Sequence, residues 1–397
     1  MIARHAATLA ATLVATGCNL YFAEDLVPSP DAPSPDAPAP PGDGGSPGDA
    51  GSGFAFTPLA LPCIHEVVGG NLLPGGRHEL LVIRACEGGP IIAAVIADGR
   101  LAEQNPRADW RHQYRHASVV DADRRAANDI VTTADNGLDA GLFWSGGAAS
   151  WNWRSLQFYR RFTDLAVGDL TPIGPHPTLV VGGDNALRLV RQTESYAPSF
   201  PYDIPPSAEI EVLSGRNIER VAIADLGGSA AADVFFIARS STGLELGAAV
   251  QTAAAPPTFS ARTLLDRPLG PVLPLLTADV DGDGKADVIG AIPELFVHGS
   301  RHGAIVFLGQ PAAELAVGDV DGDGAADILF VTADRSAVRR LVADGGGAAL
   351  TLAAVPWLPS GGDRLVIADL DGDDHDDVVV LRDRGLPASR LVPYRSP

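Results

Sequence analysis

The sequence predicts an all-β fold that is built from seven copies of one unit. Each unit contains a short run rich in Val, Ile, Leu or Phe, a nine-residue polar loop and a second apolar run. The runs are four or five residues long and show no 3.6-residue periodicity, which is typical of buried β-strands. The loops lie at 71–79, 121–129, 169–177, 225–233, 279–287, 319–327 and 369–377.

The residues between one unit and the next leave room for two more strands, so that each unit predicts a four-stranded antiparallel sheet. A unit of this size is typical of a β-propeller blade. Such a blade is apolar on both faces and must stack against its neighbours around an axis. The sequence therefore predicts a seven-bladed β-propeller over residues 54–397. The third unit is predicted from its flanking runs more than from its loop, which ends in Pro177.

The last unit is short, and this indicates how the ring closes. Only 20 residues follow the loop at 369–377, enough for two strands and not for three. A surplus apolar segment, residues 54–61, precedes the first unit. We expect this segment to supply the missing outer strand of the last blade.

Charge and composition exclude some partners. The chain has 29 Lys and Arg against 49 Asp and Glu, a formal net charge of -20, and 46% hydrophobic residues. Nucleic acids and anionic lipid surfaces require basic patches, so neither is an expected partner. The excess of carboxylates favours cations or cationic surfaces instead.

The first 17 residues predict an export signal. Arg4 is followed by an apolar run, residues 6–16, that is too short to cross a bilayer. The run ends at Ala-Thr-Gly-Cys, which resembles a bacterial lipobox and implies lipidation of Cys18. Asn19 follows Cys18, and in Gram-negative lipoproteins this implies sorting to the outer membrane. The alternative is an ordinary cleaved signal with an incidental cysteine.

Residues 18–53 predict a tether. Residues 28–53 consist of Pro, Ala, Ser, Asp and Gly and lack the apolar side chains that a core needs. Behind a lipidated Cys18, such a segment would hold a folded domain away from the membrane. Cys63 and Cys86 lie at similar distances on either side of the first loop, so we expect them to form a disulfide in an oxidising compartment.

Three loops carry a metal-binding pattern. Their carboxylates stand at loop positions 1, 3, 5 and 9, and the residue at position 7 would add its backbone carbonyl. Calcium requires six to eight oxygen ligands, which this pattern and a water supply, so about three calcium ions are expected; magnesium gives up its waters less readily. The predicted ligands are Asp279, Asp281, Asp283, Lys285 and Asp287; Asp319, Asp321, Asp323, Ala325 and Asp327; and Asp369, Asp371, Asp373, His375 and Asp377.

The alternative interpretation is three acidic turns without a metal. Against it, four carboxylates within nine residues repel one another, and the loop at 319–327 contains no basic residue to offset them. Gly284 and Gly324 stand at position 6, where the loop must turn sharply, and Asp374 tolerates the same left-handed geometry.

The spacing is similar to the start of an EF-hand, but an EF-hand needs a Glu at position 12. Gly290, Phe330 and Val380 stand there instead. The motif D-x-D-G-D-G-x-x-D resembles that of the FG-GAP/VCBS repeat family, which includes the propellers of integrin α-subunits. This resemblance implies a calcium-binding hairpin loop in each intact repeat. The first four loops have lost ligands and are predicted to be metal-free.

Function is predicted only as a class. A surface module that binds a protein or a glycan is the main hypothesis, and a structural component of the envelope is the second. The third is an enzyme resembling the polysaccharide lyases built on FG-GAP propellers. Its candidate residues would lie in the Arg- and Tyr-rich stretches at 111–116 and 158–162. We find no catalytic motif and predict that the protein is not an enzyme.

Overall fold

The computed structural model describes residues 58–395. Within this range it leaves out 73–77, 87–90, 98–99, 108–113, 121–128, 135–138, 146–150, 159–160, 169, 171–177, 191–202, 205–208, 226–231, 255–256, 300–302, 304 and 345–350. The predicted signal, Cys18 and the tether lie outside the described residues. The described part of the chain has no helix with the length and hydropathy of a membrane span.

The all-β prediction is confirmed, because every regular element of the described residues is a β-strand. In chain order the strands are β1 (Leu59–Ala60), β2 (Ile64–Gly70), β3 (Glu79–Ala85), β4 (Ile91–Ala97), β5 (Arg100–Arg107), β6 (Tyr114–Val120), β7 (Asp129–Ala134), β8 (Asp139–Ser145), β9 (Trp151–Phe158), β10 (Phe162–Gly168), β11 (Thr178–Gly183), β12 (Ala186–Val190), β13 (Asp203–Ile204), β14 (Glu209–Ser214), β15 (Asn217–Ala224), β16 (Asp233–Arg239), β17 (Leu244–Ala254), β18 (Pro257–Arg267), β19 (Leu276–Ala278), β20 (Asp287–Ala291), β21 (Glu294–His298), β22 (Ile305–Gly318), β23 (Asp327–Thr332), β24 (Val338–Asp344), β25 (Thr351–Leu358), β26 (Arg364–Ala368), β27 (Asp377–Arg382) and β28 (Arg390–Tyr394).

The sheets follow the predicted units. Strands β2 to β5 form one sheet, β6 to β9 a second, β10, β11, β12 and β14 a third, and β15 to β18 a fourth. Strands β19 to β25 are joined into one seven-stranded sheet. The joint is β22, whose first half pairs with β21 and whose second half pairs with β23. The two-residue strand β13, which the sequence did not predict, pairs in parallel with β9 of the preceding sheet.

Neighbouring sheets bury both faces of the strands between them. In β23, Ile328 and Phe330 pack with residues of β20 and β21 from the other half of the seven-stranded sheet, whereas Leu329 and Val331 pack with residues of β26 and β27 from the last sheet. The alternation follows from the two-residue period of a strand. Burying each such side chain contributes about 1.5–3 kcal/mol, so the sheets stabilise one another face to face.

The first and last sheets also pack together. Their shared core contains Val67 and Leu80 of the first sheet and Val379 and Leu381 of the last. Strand β1 pairs antiparallel with β28 and adds the fourth strand to the sheet of β26 to β28. The expected closing strand is therefore confirmed for Leu59–Ala60, while residues 54–57 lie outside the described residues.

A disulfide joins Cys63 to Cys86 beside this closing strand. Cys63 lies in the turn between β1 and β2, and its N–H donates to the carbonyl oxygen of Leu386 at 2.9 Å. Cys86 follows β3 directly. The disulfide thus links the residue before β2 to the residue after β3, the strand that pairs with β2.

Strands β2, β10, β15, β22 and β26 surround a cavity of about 420 Å³ together with residues 274–277. In several of these strands the pairing register shifts immediately before a charged residue. Examples are the shifts before Asp164 in β10 and before Arg220 in β15. Such a β-bulge redirects the side chain that follows it. Arg364 lines the same cavity and lies between the buried carboxylates of Glu66 and Glu314, at 2.8 Å from each.

Removal of the closing strand is expected to destabilise the domain. Deleting residues 54–61 exposes the edge of β28 and removes Leu59 and Leu61 from the core between the first and last sheets. We expect aggregation or a large fall in melting temperature, measured by differential scanning fluorimetry. Deleting residues 28–50 is the control and should change nothing. Similar behaviour of the two deletions would contradict the closure.

The disulfide is expected to add stability. Replacing both Cys63 and Cys86 with Ser should lower the free energy of unfolding by roughly 2–4 kcal/mol, because the unfolded chain loses a constraint. Urea denaturation measures the difference. Finding two free thiols at these positions in protein from an oxidising compartment would show that the bond does not form.

Asp164 should make stability depend on pH. Burial raises its pKa to about 6, against the opposing effects of Arg220 and the N–H of Val221. The folded state therefore holds the proton more tightly than the unfolded chain, where an Asp titrates near ~3.9. The stability that protonated Asp164 contributes is fully present below about pH 4 and is lost as the pH rises through about 6.

The variant Asp164→Asn keeps an acceptor oxygen for Val221 but cannot ionise. We expect it to be more stable than the wild type by ~1–3 kcal/mol at pH 7.5 and about equally stable at pH 4. Urea denaturation at both pH values measures this difference. A difference that does not change with pH would contradict the prediction.

Candidate metal centre

The three acidic loops share one backbone course. Position 6 has a left-handed φ in each, with values of 82° at Gly284, 87° at Gly324 and 69° at Asp374. The expected tolerance of Asp374 for this geometry is confirmed. Position 4 is also left-handed and is occupied by glycine in all three loops, as at Gly322 with a φ of 71°. A side chain with a Cβ is strained at such a φ.

The carboxylate at position 1 organises the loop through backbone hydrogen bonds. Asp369 accepts at Oδ1 from the N–H groups of Gly372 (2.7 Å) and Asp373 (3.2 Å), and at Oδ2 from Asp374 (3.2 Å). Asp319 accepts from its positions 4, 5 and 6 in the same way. The loop thereby folds its backbone around the first carboxylate.

The carboxylate at position 9 closes the loop from the other side. Asp287 begins β20, is fully buried, and accepts at Oδ2 from the N–H of Val280 at 3.0 Å. Asp327 and Asp377 accept from position 2 in the same manner at 3.2 Å. Position 9 is thus joined to position 2 by one of its two oxygens.

The carboxylates at positions 1, 3 and 9 converge in each loop. One oxygen from each lies within 4.8 Å of the others, and the three groups could hold a metal ion. They are Asp279, Asp281 and Asp287; Asp319, Asp321 and Asp327; and Asp369, Asp371 and Asp377. The predicted ligands at position 5 are not among these groups. Instead Asp283, Asp323 and Asp373 accept at Oδ1 from the N–H of position 7, at 2.9, 2.9 and 3.0 Å.

The residues at position 7 contact the neighbouring loops through their side chains. The Nζ atom of Lys285 lies 3.8 Å from Oδ2 of Asp225 in the preceding loop. The imidazole of His375 packs on Gly322, where a Cβ would collide with it. Ala325 follows the left-handed Gly324. The sequence predicted backbone carbonyl ligands here and gave no sign of these side-chain contacts.

The donor set fits a hard cation. All converging atoms are carboxylate oxygens, which calcium, magnesium and manganese prefer over nitrogen or sulfur. The Asp371 side chain is only 10% exposed, and its buried Oδ1 accepts no hydrogen bond from the described residues. Burial and then the neighbouring Asp373 raise the pKa of Asp371. A cation bound here would satisfy this oxygen and offset the repulsion.

Basic residues from outside the loops also reach the carboxylates, which sequence reasoning missed. The absence of a basic residue within 319–327 does not leave that loop unbalanced, because Arg340 of β24 contacts Asp321 and Asp327. Arg395 approaches Asp371 and Asp373 at 3.1 and 3.0 Å. The pairing register of the strands could have revealed the contact of Arg340, because Arg340 pairs with Leu329, two residues after the loop.

Among the described loop residues, backbone hydrogen bonds connect three pairs of neighbouring loops. The N–H of Ala326 donates to the carbonyl oxygen of Asp279 at 2.7 Å, and that of Asp376 donates to Asp319 at 2.8 Å. The same bond joins the first loop to the last, from the N–H of His78 to Asp369 at 2.8 Å. In each case position 8 of one loop binds position 1 of its neighbour.

The first four loops lie largely outside the described residues, so the prediction that they are metal-free is not examined by the structure. Their described ends retain part of the architecture. In the first loop, Glu79 at position 9 accepts from the N–H of Leu72 at position 2, at 2.8 Å. In the fourth loop, Asp233 at position 9 accepts from the N–H of Gln251 at 2.9 Å.

One comparison with known protein families gives a match. Residues 319–380 match the model of an FG-GAP-like repeat. The match covers two of the three acidic loops and the strands between them, and it supports the resemblance to the FG-GAP family. Comparison with curated proteins finds no significant match.

Proposed function

We propose that residues 54–397 form a seven-bladed β-propeller of FG-GAP/VCBS-like repeats. The face-to-face packing of successive sheets supports this arrangement, as does the core that joins the first sheet to the last. A cavity lined by strands of several different sheets is expected along the axis of such a ring. The long strand β22 would then be the outer strand of one blade and the inner strand of the next.

We further propose that the three acidic loops bind calcium. The observation that carries this proposal is the convergence of positions 1, 3 and 9 within 4.8 Å in all three loops. The carboxylate at position 5 and the backbone carbonyl at position 7 are further oxygen donors. Calcium fits better than magnesium because it accepts more ligands and a less regular geometry.

A bound ion would supply two positive charges at the point where both ends of the loop meet. The side chains at positions 1 and 9 precede and follow the turn, so one ion would hold the two strands together. Binding only to the folded loop stabilises it by about 2.7 kcal/mol when calcium is 100-fold above its dissociation constant. Sites of roughly 10⁻⁴–10⁻³ M are typical of extracellular modules.

Calcium stoichiometry tests this proposal. Asp281→Ala, Asp321→Ala and Asp371→Ala should each lose about one bound ion at millimolar calcium, because each removes a converging carboxylate. Isothermal titration calorimetry and elemental analysis measure the stoichiometry. Chelation should lower the melting temperature and increase proteolysis between residues 270 and 380.

Asp225→Ala is the matched control. Asp225 occupies position 1 of the fourth loop, which lacks the middle carboxylates, so its replacement should not change the stoichiometry. A stoichiometry of zero in the wild type, or a melting temperature that does not respond to chelator, would contradict calcium binding.

The proposed role is that of a binding or adhesion module that recognises a protein or a glycan. The FG-GAP-like match at residues 319–380 supports a binding role over catalysis, although a fold alone does not define a function. The proposed site of action is the bacterial outer membrane, with lipid attached to Cys18 and residues 18–53 as a tether. The lipobox-like sequence before Cys18 supports this location.

Ligand capture separates this role from its alternatives. The tagged domain, incubated with envelope extract, should retain one partner, and a glycan array identifies a carbohydrate ligand. Binding without turnover supports a binding module, and loss of envelope integrity in a deletion strain without any captured ligand supports a scaffold. Depolymerisation of a bound polysaccharide would support the lyase alternative, whose candidate stretches at 111–116 and 158–162 lie partly outside the described residues.

A further inference from the structure

Arg340 reaches into the acidic loop at 319–327 from outside it. Its Nε donates to Oδ1 of Asp327 at 2.6 Å, and its terminal nitrogen donates to Oδ2 of Asp321. These two carboxylates belong to the group that converges in this loop. One guanidinium therefore bridges two of the three carboxylates that a metal ion would need.

The position of Arg340 is fixed by its surroundings. Its side chain is only 11% exposed, and its guanidinium carbon lies 5.5 Å from the ring centre of Trp357. A guanidinium between two carboxylates and over an aromatic ring is a favourable arrangement, because both contacts are attractive and little solvent screens them. Arg340 is thus part of the folded unit and not a mobile surface side chain.

Arg395 contacts the loop at 369–377 differently. It pairs with positions 3 and 5, Asp371 and Asp373, and its side chain is 28% exposed. It leaves Oδ1 of Asp371 without a hydrogen bond from the described residues. Arg340, in contrast, bonds to position 9, Asp327, which is also the first residue of β23.

The charges of Arg340 and a metal ion oppose each other. At a separation of a few ångströms, a guanidinium and a divalent cation repel each other. The carboxylates of Asp321 and Asp327 converge in this loop and require a positive charge beside them. Either the arginine or a metal can provide that charge.

We propose that Arg340 is a built-in cation that occupies the metal position of the loop at 319–327. It holds this loop folded without a metal, and calcium must displace its guanidinium from Asp321 and Asp327. The loop is therefore a low-affinity site whose occupancy is set by competition. This inference rests on the proposed calcium binding, but it concerns one loop and one competing side chain.

The test uses the whole chain with Arg340→Met, which keeps the length of the side chain and removes its charge. In EGTA, exchange of the backbone amides at 319–327 should accelerate at least tenfold relative to the wild type, measured by hydrogen–deuterium exchange. Millimolar calcium should restore protection. Calorimetry should show calcium bound to this loop at least tenfold more tightly, ~1.4 kcal/mol.

The matched control is Arg339→Met, because Arg339 lies next in the same strand and contacts Gln310. It should behave as the wild type does. Arg340→Lys keeps the charge as a single point donor and should give intermediate exchange and affinity; it also serves if Arg340→Met does not fold. Unchanged exchange in EGTA, or rapid exchange that calcium does not slow, would overturn the inference.

Failure of the proposed calcium binding is visible separately. In that case the wild-type protein would bind no calcium at 279–287 or 369–377. The variants Asp281→Ala and Asp371→Ala would then show the same calcium stoichiometry as the wild type. The comparison of wild type and Arg340→Met in EGTA uses no calcium, so it tests the role of Arg340 even if none of the loops binds calcium. The two proposals can therefore fail independently.

Discussion

Among the described residues, the structure depends on the burial of both faces of its sheets, as the last sheet shows. Val378 and Val380 of β27 pack toward one neighbouring sheet, and Val379 and Leu381 pack toward the other. A single sheet of this kind would expose two apolar faces, so no unit is stable alone. Such a sheet needs a neighbour on each face, and the last sheet has the first sheet on one face and the seven-stranded sheet on the other.

Within this packing, the strands that flank the predicted loops could be predicted from the sequence, because an apolar run beside a polar loop is a local signal. The closing pair of β1 and β28 could also be predicted, since the last unit was one strand short. The shared strand β22 and the short strand β13 could not. Joining two sheets through Ile305–Gly318 depends on how closely successive units stack, and no local pattern encodes that distance.

The candidate site was predicted in part for a similar reason. The spacing of carboxylates indicates which can converge, and positions 1, 3 and 9 do so. It does not indicate which oxygens the backbone uses, so the hydrogen bond between Asp283 and the N–H of Lys285 was not expected. Nor does it reveal Arg340 and Arg395, because their approach depends on strand pairing beyond the loop. A local motif thus identifies the carboxylates that could hold a metal more readily than the basic side chains that contact the same carboxylates.

The backbone bonds between adjacent loops have a consequence for how the repeats diverge. The N–H of position 8 and the carbonyl of position 1 are present whatever the side chains are, as the bond from His78 to Asp369 shows. This bond requires a fixed number of residues between the two strands that flank a loop. All seven loops have nine residues, although only three retain the full set of carboxylates. Repeats can therefore exchange their ligands for other side chains under weak constraint, while an insertion or deletion in the loop at 319–327 or 369–377 would break its connection to both neighbouring loops.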